Sequence, residues 1–416
     1  DYQNEQQFHR YLSIEDNFFS QNNANGSGGA VYMKSEKSVV SFHKCVFVEN
    51  KAQVGHGAVS LLLSFGANVQ VNQCNFTRNS VEKGHGGGFG IDVDMLMDEF
   101  WNGFQSNSRR LQNSNKVARD SPTSAPSIAP TRSPSLRHTP RPTSMQVKHT
   151  CPNITVMDCT FEQNNASLGK GGGMGMSIYQ GLQCLGFHVE NVTFTQNNAL
   201  YGGGFAVVRQ NQSVHGQVMM QGNYTAIDLK NCTFDGNSAR YSGGHILFAG
   251  LVQNCDQTSV EHNVLSTYNC SLRGGSALFH GGGISAYCSS LNVQSSVIES
   301  NTLWNISVDM DDIDTNIPDN NTQSFQNQGN TNGISSMPPQ TIATVLQDKS
   351  GGGGGGIYTY RCIVDIENSN FISNLVLEGN GGAIQRDVGV STTEGSNNSY
   401  VHKAFIFALQ TFVGFI

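Results

Sequence analysis

The chain has 416 residues, of which 47 are Gly and only 13% are charged, and its formal net charge is −7. The abundance of Gly and the shortage of charge exclude a coiled coil, and no run reaches the length of about 18 apolar residues that would indicate a transmembrane segment. The acidic balance gives no reason to expect a nucleic-acid partner, and a hydrophobic fraction of 37% is large enough for a folded core.

A repeated motif runs through the chain. Its pattern is apolar-x-Asn-Cys-x-Phe-x-x-Asn, followed after a short gap by Gly-Gly-Gly-apolar-x-apolar. Alternating apolar and polar residues around each Phe predict short strands. One copy cannot bury its own apolar face, so the copies are expected to stack as the coils of a β-solenoid. Eight copies share the register, and their Phe and Asn positions are Phe19/Asn22, Phe47/Asn50, Phe76/Asn79, Phe161/Asn164, Phe194/Asn197, Phe234/Asn237, Ile298/Asn301 and Phe371/Asn374.

The motif also predicts what each of its positions does. The Phe side chains are expected to stack inside the solenoid, and the Asn side chains to form a hydrogen-bonded ladder. The Asn also suits a turn, because its side chain tolerates left-handed backbone. The glycines that follow permit positive φ or a close approach of neighbouring backbone.

In chain order, the sequence divides into five segments. Residues 1–104 hold the N-terminal coils and 105–149 a basic Pro/Ser/Thr-rich insert that we expect to be disordered. Residues 150–302 hold the middle coils, 303–350 an acidic Asn/Gln-rich loop, and 351–416 the C-terminal coils, which we expect to be truncated. The apolar tail Ala404–Ile416 is too short to span a bilayer, and we interpret it as a strand cut off within the fold.

The Phe-x-x-Asn and Gly-Gly-Ala-Ile elements, the latter at Gly381–Ile384, resemble the repeats of chlamydial polymorphic membrane proteins. They are also similar to right-handed parallel β-helix repeats of the pectin-lyase-like superfamily. The resemblance covers the eight copies. It implies an all-β chain that forms a right-handed parallel β-helix (β-solenoid) of about eight coils with long disordered inserts. It also implies a secreted or surface-exposed protein, and such proteins are often adhesive.

Candidate chemistry is sparse. Two Gly-His-Gly motifs, at His56 and His85, resemble a signature of polygalacturonases, which share this fold superfamily, and make these histidines the candidates for catalysis. Glycoside hydrolysis requires two carboxylates that face one bond, and shortly downstream of His85 the sequence offers only Asp92, Asp94 and Asp98. No cofactor is expected. The candidate Ca²⁺ ligands form an acidic run without the Gly and Glu of an EF-hand loop, and a solvated loop is the alternative that we favour for Asp309, Asp311, Asp312 and Asp314.

The cysteines form two groups. Cys45, Cys74, Cys159 and Cys232 occupy one repeat position and are expected to point inward, either as free thiols or with a bridge between Cys45 and Cys74 or between Cys74 and Cys159. The others lie outside that register, and an even total suits a secreted protein with disulfides; they are Cys151, Cys184, Cys255, Cys270, Cys288 and Cys362. Candidate N-glycosylation sites in loops are Asn211, Asn223, Asn305 and Asn320.

The spacing of the copies points to function. The gap from each Gly strand to the next copy varies widely, whereas the gap before the glycines is nearly constant, except between Asn301 and Gly351. One edge of the solenoid therefore carries most of the loops, which is where binding residues concentrate. We expect an extracellular or cell-surface scaffold that recognises a polysaccharide or a surface protein without catalysis. The alternative is a carbohydrate-active enzyme, a polysaccharide lyase or glycosidase, that works in a groove along one sheet.

Overall fold

The computed structural model describes residues 10–35, 38–64, 66–93, 151–178, 184–209, 224–250, 255, 260, 263–304, 353–377 and 380–387. These residues form an all-β structure of four sheets, I to IV, each with nine strands. Consecutive strands belong to sheets I, II, III and IV in turn, and one pass through the four sheets is one coil. Every strand pairs in parallel with its counterpart in the next coil, and the described residues therefore form a right-handed parallel β-helix of nine coils.

Sheets I and II have the same number of residues between them in every coil. The strands of sheet I, from coil 1 to coil 9, are Arg10–Glu15, Ser38–His43, Asn68–Asn72, Asn153–Met157, Cys184–Glu190, Tyr224–Lys230, Asn263–Tyr268, Ser290–Gln294 and Ile363–Glu367. Those of sheet II are Phe18–Ser20, Val46–Val48, Asn75–Thr77, Thr160–Glu162, Thr193–Thr195, Thr233–Asp235, Ser271–Arg273, Val297–Glu299 and Asn370–Ile372.

Sheets III and IV complete each coil. The strands of sheet III are Asn23–Ala24, Lys51–Gly55, Ser80–Gly84, Asn165–Lys170, Asn198–Tyr201, Ser238–Ser242, Ser276–Ala277, Thr302–Leu303 and Leu375–Val376. Those of sheet IV are Val31–Ser35, Val59–Leu63, Phe89–Val93, Met174–Ile178, Phe205–Arg209, Ile246–Ala249, Ile284–Tyr287, Ile357–Tyr360 and Ile384–Asp387.

The interior is built from columns of equivalent residues. The Phe column of sheet II stacks face to face from Phe19 to Phe234, with neighbouring ring centroids between 4.7 and 5.0 Å apart. Phe161, for example, is fully buried and lies in register with Phe76 and Phe194. Burying a side chain of this size contributes about 1.5–3 kcal/mol, so the predicted Phe column is confirmed as the main packing element of the core.

The predicted Asn ladder is also confirmed. The Oδ1 atom of Asn164 accepts hydrogen bonds from both the backbone N–H and the Nδ2 of Asn79, each at 3.0 Å, and the Nδ2 of Asn164 donates to the carbonyl oxygen of Phe76 at 2.8 Å. The buried Asn197 continues the ladder, because its Oδ1 accepts from the backbone N–H of Asn164 at 2.9 Å and from the Nδ2 at 3.0 Å. The same pattern links Asn50 to Asn79. Each of these ladder Asn residues therefore joins its own coil to the preceding one through three hydrogen bonds.

The left-handed backbone lies at the residue before each ladder position. Two-residue turns join sheet I to II and sheet II to III in every coil, and the first residue of each turn has positive φ, as at Lys44 (51°) and Glu49 (56°). The amide of Glu49 donates to the carbonyl of Thr77 in the next coil at 3.0 Å. Asn50 therefore lies in a turn, as its residue type suggests, but as the second residue of that turn, where its side chain takes part in the ladder.

The structure contains one coil more than the eight predicted. Coil 7 lacks both marker residues, because Leu272 replaces the Phe and Gly275 replaces the ladder Asn. The ring of His245, from the preceding coil, occupies the space of the missing Asn side chain. Its Nδ1 accepts a hydrogen bond from Asn237 Nδ2 at 3.1 Å, and a Cβ on Gly275 would lie 2.6 Å from the imidazole. The amide of Gly275 still donates to Asn301 Oδ1 at 2.8 Å.

The cysteine column consists of free thiols. Cys45, Cys74, Cys159 and Cys232 are buried and unbridged, so the free-thiol prediction is confirmed and the alternative of a bridge within the column is wrong. The assignment of Cys270 outside this register is also wrong: it follows Cys232 in the column, and each thiol donates to the carbonyl two residues before it. Outside the column, Cys255 and Cys288 form a disulfide with Cα atoms 5.3 Å apart, Cys151 is also disulfide-bonded, and Cys362 is a buried free thiol.

Candidate functional site

The connections from sheet IV to sheet I of the next coil carry most of the variation in length. We call this edge the insert corner. The longest of its connections runs from Val93 to Asn153, whereas the shortest have two residues and lie between Ser35 and Ser38, between Tyr287 and Ser290 and between Tyr360 and Ile363. The corner between sheets III and IV holds one long connection, from Leu303 to Ile357. The stacked coils can admit such insertions because each coil contacts only its neighbours.

Both candidate catalytic histidines belong to a row of side chains at the corner between sheets III and IV. The row has one residue from each coil, and its backbone pairs in parallel from coil to coil: Ser27, His56, His85, Lys170, Tyr201, Ser242, His280, Gly353 and Asn380. The His56 ring lies over Gly90 on the outer face of sheet IV, where any Cβ would overlap it. A glycine at position 90 is therefore required by the histidine of the coil before.

His56 links a serine to a carboxylate. Its Nδ1 lies 2.8 Å from the Oγ of Ser60, and its Nε2 lies 3.5 Å from Asp92 Oδ1. The Oγ of Ser27 is 2.6 Å from that of Ser60 and accepts the backbone N–H of His56 at 3.1 Å. The chain of contacts thus runs Ser27, Ser60, His56, Asp92. His56 and Ser60 are almost completely buried, whereas the Asp92 side chain is 24% exposed.

Burial and mutual charge control the titration of the remaining groups. Burial, together with the nearby Lys170 ammonium, lowers the pKa of His85 to about 3, so this histidine is neutral at physiological pH. Burial lowers the pKa of Lys170 to about 8, although the Asp92 carboxylate opposes this shift. For Asp92, burial favours the neutral acid, but His56, His85 and a hydrogen bond from Ser177 outweigh it and leave the pKa below its usual value.

The cluster therefore holds a carboxylate that stays ionised and an amine whose pKa lies near neutral pH. The sequence-based candidates His56 and His85 come close together, with ring centroids 6.4 Å apart; His56 is almost completely buried, and His85 is partly exposed. Within the described part of the chain, no group of three or more His, Cys, Asp or Glu residues has the arrangement of a metal site. The sequence-based candidates omit Lys170. Its position in its motif copy is equivalent to those of His56 and His85 in theirs, and this equivalence was the signal that could have identified it.

A second site lies on the outer face of sheet I. A shallow groove of about 250 Å³ crosses coils 1 to 4, and its lining is rich in hydrogen-bonding side chains: Glu15, Ser41, His43, Gln70, Val71, Asn72, Thr155 and Met157. The Oδ1 of Asn72 is buried without a hydrogen-bond partner among the described residues. In coils 5 and 6 the same face carries a charged pair instead, with Lys230 Nζ 2.9 Å from Glu190 Oε1. The groove is therefore the part of this face where polar side chains keep unused hydrogen-bonding capacity.

Several predicted sites lie outside the described residues. These are the acidic run and the glycosylation candidates: Asp309, Asp311, Asp312, Asp314, Asn211, Asn223, Asn305 and Asn320. The insert 105–149, all of the loop 303–350 beyond residue 304 and the tail 404–416 lie outside them as well.

Comparison of the chain with protein-family models, with curated proteins and with solved structures finds no match. In the part of the chain that the structure describes, no helix is long and apolar enough to cross a membrane. The groove and the polar row are thus the observations on which a function can be argued.

Proposed function

We propose that this protein is an extracellular or cell-surface recognition protein that binds a polysaccharide in the groove on the outer face of sheet I, near the C-terminal ends of its strands, without catalysing a reaction. The observation that carries the proposal is the concentration of long connections at the one corner that borders the start of sheet I. Loops on a rigid scaffold are the usual location of binding residues. The resemblance to adhesive β-helix repeat proteins supports the same function.

The groove provides suitable chemistry for such a ligand. Hydroxyl groups of sugars both donate and accept hydrogen bonds, and the amide groups of Gln70 and Asn72 and the hydroxyls of Ser41 and Thr155 do the same. These residues come from three successive coils, which are about 4.8 Å apart. An extended sugar chain lying along the solenoid axis would therefore meet a new set of polar groups at each coil.

Binding to a panel of neutral and anionic polysaccharides tests the proposal, with the double variant Gln70→Ala/Asn72→Ala as the groove knockout. Asn75→Ala in the same coil is the matched control, because Asn75 is exposed on the outer face of sheet II. We expect the wild type and the control to bind and the groove variant to lose at least about tenfold in affinity, since each lost hydrogen bond is worth roughly 1 kcal/mol. Equal binding by all three proteins, or binding only to a surface protein, would refute the polysaccharide groove.

The alternative, a carbohydrate-active enzyme, is favoured by one observation: Asp92 and Lys170 share a cluster in which the pKa of the lysine is about 8. A base with a pKa near the working pH is suited to proton transfer. Release of reducing ends or of unsaturated products, measured with and without Ca²⁺, tests this function. Turnover that disappears in Asp92→Asn would replace the recognition proposal.

A further inference from the structure

The groove on sheet I carries a negative charge and no positive one. Among the described residues that line it, Glu15 is the charged side chain when His43 is counted as neutral, and none is Lys or Arg. The Glu15 side chain is exposed, and its Oε1 accepts a hydrogen bond from the Oγ of Ser13 at 2.8 Å. A groove with a carboxylate and without cations repels an anionic ligand.

The turn beside the groove adds to this negative charge. In coils 1 to 4 the strand of sheet I ends at a groove residue, and the next residue begins the turn to sheet II. We call these four exposed turn residues the rim of the groove; they are Asp16, Lys44, Gln73 and Asp158. Groove and rim together hold three carboxylates and one ammonium, a formal net charge of −2. Carboxylates stand in coil 1 and in coil 4, so a bound chain meets negative charge at both ends of the groove.

The Lys that the outer face of sheet I does carry is already paired. Lys230 belongs to coil 6, and its Nζ lies 2.9 Å from Glu190 Oε1. The other carboxylate oxygen of Glu190 lies 3.2 Å from His188 Nε2. Lys230 is therefore two coils away from Met157, the groove residue of coil 4, and its charge is compensated where it stands.

The hydrogen-bonding groups of the groove favour the same class of ligand as its charge. A carboxylate accepts hydrogen bonds and cannot donate them, so Glu15 requires a ligand that supplies O–H or N–H groups. The Oδ1 of Asn72 is a second acceptor, and it has no partner among the described residues. Sugar hydroxyls can donate to both acceptors, whereas the carboxylate of a uronic acid only accepts.

We propose that the groove selects neutral, hydroxyl-rich glycans over polyuronates, and that Glu15 determines this specificity. The inference rests on the proposed function, because it names the substrate class of the same groove. Two like charges about 4 Å apart lower an affinity by roughly fivefold even in water. A polyuronate has a charge on every sugar and meets the carboxylates of coils 1 and 4 at once. It should therefore bind at least about tenfold more weakly than a neutral chain of the same length.

Binding of a neutral glucan and of a polyuronate of equal length to the full chain tests the specificity. At an ionic strength of about 0.1 M, where distant charges are largely screened, we expect the dissociation constant for the polyuronate to be at least about ten times that for the glucan. This ratio should fall to about two or less in Glu15→Lys. In Glu15→Gln, which keeps an acceptor for Ser13, it should be intermediate. Glu82→Lys is the matched control, because it makes the same charge change on the exposed outer face of sheet III, and it should keep the ratio of the wild type.

The results separate this inference from the proposed function. If the wild type binds the polyuronate as tightly as the glucan or more tightly, and Gln70→Ala/Asn72→Ala loses both, the specificity is refuted while the groove remains the binding site. Equal changes of the ratio in Glu15→Lys and Glu82→Lys would assign the discrimination to overall charge and not to Glu15. Binding of neither polymer would overturn the proposed function and this inference with it.

The salt dependence of the discrimination provides a second readout that needs no variant. At about 1 M salt the screening length falls to roughly 3 Å, so repulsion between Glu15 and a uronate is largely removed. We therefore expect the ratio of the two dissociation constants in the wild type to approach one. A ratio that stays at its value in 0.1 M salt would show that shape, and not charge, separates the two polymers, and would refute the role of Glu15.

Discussion

The substitution of a histidine for the missing ladder residue leads to a quantitative prediction. In coil 7 the ladder Asn is replaced by Gly275, and His245 accepts the hydrogen bond of Asn237 Nδ2 in its place. His245→Ala leaves this buried donor without an acceptor, which costs about 1–3 kcal/mol. The cavity left by the ring adds about 1–2 kcal/mol. The converse single variant, Gly275→Asn, should also be destabilising, because the new side chain meets the imidazole.

The double variant His245→Ala/Gly275→Asn should restore the ladder. The introduced asparagine would then donate to the carbonyl of Phe234 and accept from Asn237, as Asn79 does between its neighbours. Coils 2 and 3 show that this geometry is allowed, because Ala58 of coil 2 is equivalent to residue 245 and Asn79 of coil 3 is equivalent to residue 275. Urea unfolding of the four proteins gives the coupling free energy, which we expect to be favourable by about 2–3 kcal/mol. A double variant no more stable than the sum of the single changes would refute the reasoning.

Three further predictions follow from the core and the polar row. Phe161→Ala should lower the free energy of unfolding by about 3–5 kcal/mol, whereas Thr160→Ala, on the outer face, should change it by less than about 0.5 kcal/mol; similar losses would contradict the Phe column. Because the pKa of Lys170 is about 8 when folded and its ordinary value is 10.5, the folded chain loses this proton first, and stability should rise from pH 8 to 10.5. Urea titrations of Lys170→Met should lack that rise, and an identical pH profile would disprove the burial effect. The Cys159 thiol should react with iodoacetamide only after unfolding, and labelling of the native chain would show an open column.

The columns were predictable because they depend on residues that repeat in the sequence. The residues equivalent to Phe161 and to Asn164 have the same role in most coils, so the register of the motif is also the register of the sheets. Coil 7 was not predictable in the same way. Its missing Asn is compensated by His245 from the coil before, and such a replacement is visible only once the coils are stacked.

The turn conformation was not predictable from local propensity. Residues such as Lys44 and Arg78 adopt the left-handed backbone conformation, which costs roughly 1–2 kcal/mol for a residue with a Cβ. The cost is offset by the amide hydrogen bonds of these residues to the next coil, at 3.0 Å from Lys44 to Asn72 and 2.9 Å from Arg78 to Glu162. Interactions between coils thus determine a conformation that the residues alone disfavour.

The candidate site was only half predictable for the same reason. The Gly-His-Gly motifs identified His56 and His85, and the nearby Asp92 is visible in the sequence. The contact of His56 with Ser60 and the nearby charge of Lys170 could not be predicted, because they depend on which side chains point toward sheet IV. Lys170 is 85 positions from His85 in sequence but adjacent to it in the row. When a long insertion separates two coils, a contact of this kind cannot be inferred from the sequence.

The Asn ladder has a direction. Except at coil 7, where Gly275 has no side chain, the Oδ1 of a later coil accepts two N–H groups of the coil before it, so the amide dipoles point the same way along the axis. Aligned dipoles add, as they do in an α-helix, and hydrogen bonds in such a chain polarise one another. One end of the ladder therefore presents carbonyl oxygen, at Asn22, and the other presents N–H, at Asn374. The two ends of the solenoid carry partial charges of opposite sign, and an ion would distinguish one end from the other.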